Sequence, residues 1–163
     1  MSDRDDPNDP QNITGNPAPA PTGAGTAAPA GLGIRIGARL LDVLLVGIPA
    51  SIVLSIVGLQ TVLTGIIISL LWFGYFVWFE SNQGATVGKK LLNLSVSSAA
   101  GGFPDPATAA KRNIWMLFGL IPVIGGLLGL IAVIAIMITI ASGDDNLGYH
   151  DKFAGTQVKR NPT

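Results

Sequence analysis

Hydrophobic positions are distributed very unevenly along the chain. No Asp, Glu, Lys or Arg occurs from Val43 to Phe79, and none occurs from Asn113 to Gly143. A single helix over the first run would be about 56 Å long, whereas the hydrocarbon core of a bilayer is only about 30 Å thick. The run therefore predicts two spanning helices, over about 34–57 and 61–80, with a turn at Gly58-Leu59-Gln60-Thr61.

The second charge-free run predicts a shorter hairpin. Asp105-Pro106 is a typical helix start, because Asp caps the N-terminus and Pro fits the first helical position. We expect a third helix over about 106–120 and a fourth over about 124–141, separated by a Pro- and Gly-containing turn at 121–126. After Arg112 the third helix has too few apolar residues for a full crossing, so it should be tilted, re-entrant or interfacial.

Two polar segments flank these helices. Residues 81–105 form the main predicted aqueous loop, in which alternating Leu92, Leu94 and Val96 indicate a short extended segment. Residues 1–30 are acidic, rich in Pro, Ala and Gly, and poor in large apolar residues. Because such a segment cannot offset the entropy of ordering, it is predicted to be a disordered tail, followed by a membrane domain over 31–160.

The expected fold is an all-α membrane protein, a small bundle of about four hydrophobic helices arranged as two hairpins with an extended cytoplasmic loop. Both predicted turns lack charge, so all charged side chains lie on one side of such a bundle. The positive-inside rule then places both termini in the cytoplasm, with the bundle in the plasma membrane. The alternative is three full spans, with Pro122 as a kink and the C-terminus outside.

Composition narrows the function classes. Charged residues are only 12% of the chain and hydrophobic residues are 48%, which excludes an ordinary soluble enzyme of this size. The chain has no Cys and one His, so neither a disulfide, a thiolate nucleophile, a metal site nor another cofactor is expected. The net charge of zero gives no indication of nucleic-acid binding.

The strongest candidate for polar chemistry is the start of the first helix. Arg35, Arg39 and Asp42 are spaced so that all three lie within about 60° on one helix face. Asp42 lies about 10 Å deeper than Arg35, where a carboxylate needs a partner or water. Two interpretations remain open: an ion or proton site facing the bundle interior, or a self-contained ion pair at the boundary with snorkelling arginines.

A second tier of candidates comprises Lys89, Arg112 and His150. Lys89 lies in Gly84-Ala-Thr-Val-Gly88-Lys89-Lys90, which is one residue too short for a phosphate-binding loop and lacks its Ser or Thr, so nucleotide binding is rejected. His150, beside Asp151, could shuttle protons near neutral pH. No Ser/His or Cys/His arrangement accompanies it, so no catalytic residue is assigned and the protein is not expected to be an enzyme.

Three segments together resemble the RDD family of bacterial membrane proteins, over about 33–160. They are Arg35-Ile-Gly-Ala-Arg-Leu-Leu-Asp42, the Gly84–Lys90 segment with the following Leu-Leu-Asn-Leu-Ser-Val, and His150-Asp-Lys-Phe-Ala-Gly-Thr156. The resemblance implies that Arg35, Asp42 and Asp151 are the name-giving arginine and aspartates. It also implies a multi-pass membrane protein for which transport has been proposed, and it adds no catalytic mechanism.

Two functions follow from this pattern. The first is transport of a small ion or ligand, most specifically Na⁺/H⁺ exchange, with Asp42 binding the cation or proton beside Arg35 or Arg39. The alternative is a non-enzymatic membrane partner or assembly subunit, because so small a bundle makes a thin wall for a pathway. In both cases the bilayer is the first partner, and a homo-oligomer or a larger membrane complex is expected.

Overall fold

The computed structural model describes residues 27–58 and 61–161. The predicted tail over residues 1–30 therefore lies almost entirely outside the described residues, as do Leu59 and Gln60 of the first predicted turn. Within the described part, three helices are long and apolar enough to cross a membrane, which confirms the helical membrane bundle. These are α1 (Leu32–Val57), α2 (Thr61–Gln83) and α5 (Gly125–Ser142).

Helix α1 contains a widened turn in its middle. The π-helical turn over Val43–Gly47 lies directly before Pro49, which has no N–H to donate to the preceding turn. The helix then continues to Val57 and ends at Gly58. Gly58 has a φ of 69°, a left-handed conformation that glycine adopts without the strain a side chain would cause.

The predicted third helix has the expected extent but two kinds of helical structure. It begins as α4 (Pro106–Asn113), with the Asp105 side chain accepting from the backbone N–H groups of the first turn, and it continues as a 3₁₀ segment over Ile114–Leu120. The segment is therefore helical over the predicted range, but only its first half is an α-helix. Gly119 packs against Ser69, about 16 Å along α2 from Glu80, so the segment turns back near the middle of that helix.

A small polar cap covers one end of the bundle. The extended segment predicted around Leu94 is confirmed as a strand, whereas the sheet it joins and two short helices were not predicted. The sheet is antiparallel in the order β1-β3-β2, with Val96 opposite Val158. The cap elements are β1 (Ala28–Pro29), α3 (Val87–Leu91), β2 (Leu94–Ser98), α6 (Tyr149–Ala154) and β3 (Thr156–Arg160).

The sheet brings together the first and last strands of the described part of the chain. Strand β1 leads into α1, β2 follows α2, and β3 follows α5 and α6, so all three strands can pair only at one end of the bundle. Ala28 lies opposite Arg160, which brings the start of α1 next to the end of the described chain. This arrangement disagrees with three full spans that place the C-terminus on the opposite side.

The outer faces of the long helices remain apolar and exposed. Ile56 is 79% exposed and Val53 is 60% exposed on α1, and Leu127 is 60% exposed on α5. Such surfaces would be unfavourable in water but match the hydrocarbon of a bilayer. The protein is therefore built to contact lipid along α1, α2 and α5, while its few buried apolar side chains lie mainly between the sheet and the start of α1.

Candidate functional site

Charged side chains from five helices converge between the cap and the long helices. They surround a cavity of about 260 Å³ whose remaining wall is formed mainly by apolar side chains of α1 and α5, together with Phe76, Trp115 and Val158. The charged and polar residues that line it are Arg35, Arg39, Asp42, Glu80, Lys89, Arg112, Asn113 and His150. All the predicted candidates therefore line this cavity except Asp151, which lies directly behind Arg35 and Arg112.

Asp151 joins the last motif of the sequence to the first. Its carboxylate is fully buried; Oδ2 accepts from Arg35 Nη1 at 2.6 Å, and Oδ1 lies 2.5 Å from Arg112 Nη1. The backbone N–H of Gly148 donates to Oδ2 at 3.1 Å. Arg35 is fixed further by bonds to the carbonyl oxygens of Ala30 and Asn146. Residues that are 116 positions apart thus form one ion pair.

Glu80 is a second buried carboxylate that joins several segments of the chain, and it is not among the site residues predicted from the sequence. It is fully buried and pairs with Lys89 Nζ and with Arg112 Nε, the latter at 3.3 Å. Asn113 Nδ2 also donates to its Oε2 at 3.0 Å. In the sequence, Glu80 opens a polar run that indicates an exit into water, and no local pattern shows that α3 and α4 fold back over it.

Asp42 is held by hydrogen bonds rather than by an arginine. It accepts from Tyr75 Oη at 2.8 Å, from Thr86 Oγ1 at 2.8 Å and from the backbone N–H of Gly88 at 2.7 Å. Among the described residues it makes no ion pair, so the expected pairing with Arg35 or Arg39 is not observed. The three donors surround a carboxylate that would otherwise be unpaired at membrane depth.

The segment that superficially resembled a phosphate loop supplies two of these donors. Thr86 caps the N-terminus of α3, and Gly88 lies in its first turn, so the positive end of this helix faces the carboxylate. A Cβ at Gly88 would collide with the carbonyl oxygen of Ala38, so only glycine permits this approach of α3 to α1. The hydrogen bonds to the Asp42 carboxylate thus explain why Thr86 and Gly88 occupy these two positions of the segment.

Arg39 has a different environment from the other arginines. Its Cζ lies 4.0 Å from the ring centroid of Phe76 and 5.4 Å from that of Trp115. Within the described part of the chain its guanidinium makes cation–π contacts but no hydrogen bond or ion pair. Its N–H donors therefore remain available on the wall of the cavity.

Burial sets the charge states of the groups that belong to the cap. It lowers the pKa of His150 to about 3, assisted by the nearby Arg112 guanidinium, so this imidazole is neutral at physiological pH. Burial alone would raise the pKa of Asp151, but Arg112 and Arg35 outweigh it and lower the pKa to about 2. The environment of His150 thus disfavours the proton shuttle near neutral pH that its sequence position suggested.

With Lys89 and the arginines charged, the site carries a formal excess of one positive charge. Four cationic side chains, Arg35, Arg39, Lys89 and Arg112, oppose three carboxylates, those of Asp42, Glu80 and Asp151. Burial lowers the pKa of Lys89, while the ion pair with Glu80 opposes that shift. Within the described residues no group of three His, Asp or Glu side chains is arranged to hold a metal ion.

The part of the chain that forms this site is shared with a known protein family. The sequence model of the RDD family matches residues 29–155, from β1 to the end of α6. The chain belongs to the RDD family. All seven charged residues of the site lie inside the region shared with the family. They come from the start of α1, from the segment that runs from the end of α2 through α3 to α4, and from α6.

One relative of this RDD-family protein is the uncharacterized protein YckC of Bacillus subtilis (strain 168). It is 30% identical over 141 residues, which cover 80% of this chain and 83% of the relative. No solved structure matches the chain. The family and the apolar helices together identify an integral membrane protein.

Proposed function

We propose that this RDD-family protein binds a small ligand in the charged cavity and transports it, without catalysing a reaction. The observation that carries this proposal is the cavity of about 260 Å³, which charged side chains line on one side and apolar side chains of α5 line on the other. Ionisable groups within transmembrane segments are costly, and they typically mark substrate or ion pathways.

The cap is assigned to the cytoplasmic side of the plasma membrane. Five further cationic side chains lie in the cap or at its border, and the sheet holds residues near both ends of the described part of the chain there. Positive charge next to spanning helices favours cytoplasmic placement. These cationic residues are Lys90, Lys111, Lys152, Lys159 and Arg160.

Na⁺/H⁺ exchange through Asp42 is a narrower version of the transport hypothesis. A carboxylate offers about four acceptor positions, and three donors already occupy this one. A cation bound at Asp42 would use the one acceptor position left on Oδ2, or it would displace Tyr75, Thr86 or Gly88. If Asp42 is the cation site, Asp42→Asn should abolish sodium-dependent proton flux in proteoliposomes; if it is a structural acceptor, the variant should lose stability instead.

Ligand transport is tested by blocking the cavity. Because the chain has no native Cys, a single one at Met137 places a unique thiol on the α5 wall of the cavity. The protein is modified with a methanethiosulfonate reagent before reconstitution, and fluxes of sodium, protons and phosphate are then compared in proteoliposomes. A matched control carries the cysteine at Ala100, in the exposed turn of the cap.

We expect flux of at least one solute, inhibition after modification at Met137, and unchanged flux after modification at Ala100. Flux that modification at Met137 leaves unchanged would contradict passage through this cavity. Protein-independent flux of every solute would contradict transport itself. It would favour the alternative function, a membrane partner or assembly subunit that should co-purify with other proteins in mild detergent.

A further inference from the structure

We infer that the ligand of this cavity carries an anionic oxygen group, a phosphate or a carboxylate, and that Arg39 binds this group. The inference rests on the proposed function and names its ligand class. The same chemistry occurs in a free anion and in the headgroup of an anionic lipid, so the experiment below separates these two sources.

The three arginines of the site differ in how many of their N–H donors are used. Arg35 donates to Asp151 and to two backbone carbonyl oxygens. Arg112 donates to Thr156 and pairs with Glu80 and Asp151. Arg39, in contrast, makes cation–π contacts but no hydrogen bond or ion pair within the described residues. A guanidinium has five N–H donors, and its planar arrangement matches the two oxygens of a phosphate or carboxylate.

The three carboxylates of the site, unlike Arg39, already have polar partners. Asp42 accepts from a phenol, a hydroxyl and a backbone N–H, and Glu80 interacts with Lys89, Arg112 and Asn113. Asp151 interacts with two arginines and a backbone N–H. A cation entering the cavity would have to compete with these donors for most of the acceptor positions, whereas an anion would find N–H donors on Arg39 that make no hydrogen bond within the described residues.

The net charge of the residues around the cavity also favours an anion. The four cations and three carboxylates leave one formal positive charge in a largely apolar environment. A monovalent anion would neutralise this excess, and a monovalent cation would double it. Attraction and repulsion are both stronger in such an environment than in water, because the effective dielectric constant is lower.

The apolar wall is compatible with either source of the anion. Leu40, Val133, Ile136 and Met137 line the part of the cavity that lies farther from the cap. They could pack against the acyl chain of a lipid or simply exclude water around a small anion. The structure therefore assigns the charged group of the ligand, and the source is an outcome of the test.

The test measures stabilisation by defined anions. The full chain is purified in dodecyl maltoside, and its thermal unfolding is followed with increasing sodium phosphate against sodium chloride at equal ionic strength. A second series replaces phosphate with mixed micelles of phosphatidylglycerol or phosphatidylcholine. Three variants are compared with the wild type: Arg39→Gln, Arg39→Lys, and Arg160→Gln as a control that removes an exposed arginine of β3.

We expect phosphate or phosphatidylglycerol to raise the unfolding temperature of the wild type and of Arg160→Gln. Loss of two charge-assisted hydrogen bonds in Arg39→Gln should weaken apparent affinity roughly 100-fold, and Arg39→Lys should retain part of the shift. Stabilisation by phosphate supports a free anion, and stabilisation by phosphatidylglycerol alone supports a lipid headgroup.

The inference is overturned if neither anion stabilises the wild type beyond its control, or if Arg39→Gln responds like the wild type. Either result leaves the proposed function intact if modification at Met137 still blocks flux. Conversely, an Arg39-dependent anion effect in a protein without any flux would support the site and refute transport.

Discussion

The pairing of β1 with β3 predicts a specific cross-link. Ala28 and Arg160 are direct partners in an antiparallel pair, in which Cα atoms lie about 4.5–5.5 Å apart. This separation falls within the range that a disulfide spans, roughly 4.4–6.8 Å. Cysteines at these two positions should therefore oxidise to one intramolecular disulfide. Because the bond closes a loop of more than 100 residues, it should stabilise the protein by at most about 5 kcal/mol.

The assay combines mobility on a non-reducing gel with thermal unfolding in detergent, each with and without reductant. A control pair places the cysteines at Ala28 and Ala100; Ala100 follows Ala99, which bonds to Gly155 beyond the opposite end of β3. The described pairing predicts rapid cross-linking of the first pair alone, and a lower unfolding temperature on reduction. If the Ala28 and Arg160 cysteines remain free under oxidant, the chain ends do not meet and the proposed single-sided cap is refuted.

Three further predictions concern the buried site. Glu80→Gln should lower the free energy of unfolding by about 3 kcal/mol or more, because it leaves Lys89 buried without its carboxylate; adding Lys89→Met should recover part of that loss. Gly88→Ala should destabilise by about 1–3 kcal/mol, because its methyl group would collide with the Ala38 carbonyl. His150→Gln should reduce the dependence of the unfolding temperature on pH between pH 6.5 and 4.

The sign of the pH effect follows from the lowered pKa of His150. Between its ordinary value of about 6.5 and the folded value of about 3, the unfolded chain binds a proton that the folded chain excludes. The wild type should thus lose at most about 1.4 kcal/mol per pH unit as the pH falls from 6.5 to 4, and the variant should lack this contribution. Asp151 contributes only below about pH 4, since its folded pKa is lowered.

Each of these predictions has a matched control or a contradicting result. Gly33→Ala lies in the same helix as Ala38 but meets nothing within 4 Å, so it should be neutral or stabilising. Equal losses at Gly33 and Gly88 would argue against close packing of α3 on α1. A Glu80→Gln protein as stable as the wild type, or an unchanged pH slope in His150→Gln, would contradict the buried environments of these side chains.

The long helices and their ends were predictable because their signals are local. The predicted ranges 34–57, 61–80 and 124–141 lie within three residues of the ends of α1, α2 and α5, and Asp105-Pro106 marks the start of α4. The change to a 3₁₀ segment after Asn113 was not predictable. It depends on how this segment packs on α2, which no local periodicity records.

The cap was predicted only in part because its elements depend on long-range pairing. Strand β2 alternates apolar and polar residues and was recognised, but β3 has one buried aliphatic residue, Val158, and appears as a polar tail. Strand β1 consists of Ala28 and Pro29, too short for any pattern. Each of these two strands is defined by its partner rather than by its own sequence.

In the candidate site, too, the local spacing of residues was predictable from the sequence, whereas their partners from distant segments were not. Helical spacing places Arg35, Arg39 and Asp42 on one face, and all three line one cavity. Their partners come from distant segments: Asp151 for Arg35, Thr86 and Gly88 for Asp42, and aromatic rings for Arg39. A local ion pair was the natural expectation, but insertion of α3 against α1 gives Asp42 neutral donors instead.

A cavity that solutes can enter, and that Arg39 makes electrostatically positive, should react selectively with anionic reagents. A single cysteine at Met137 probes this property when its reaction rates with an anionic and a cationic methanethiosulfonate reagent are compared. The ratio of the two rates is independent of how much thiolate is present. Relative to the cysteine at Ala100, we expect the ratio at Met137 to favour the anionic reagent at least roughly tenfold, and Arg39→Gln should abolish this preference. A ratio at Met137 that equals the one at Ala100, or a preference that survives Arg39→Gln, would show that Arg39 does not make the cavity positive.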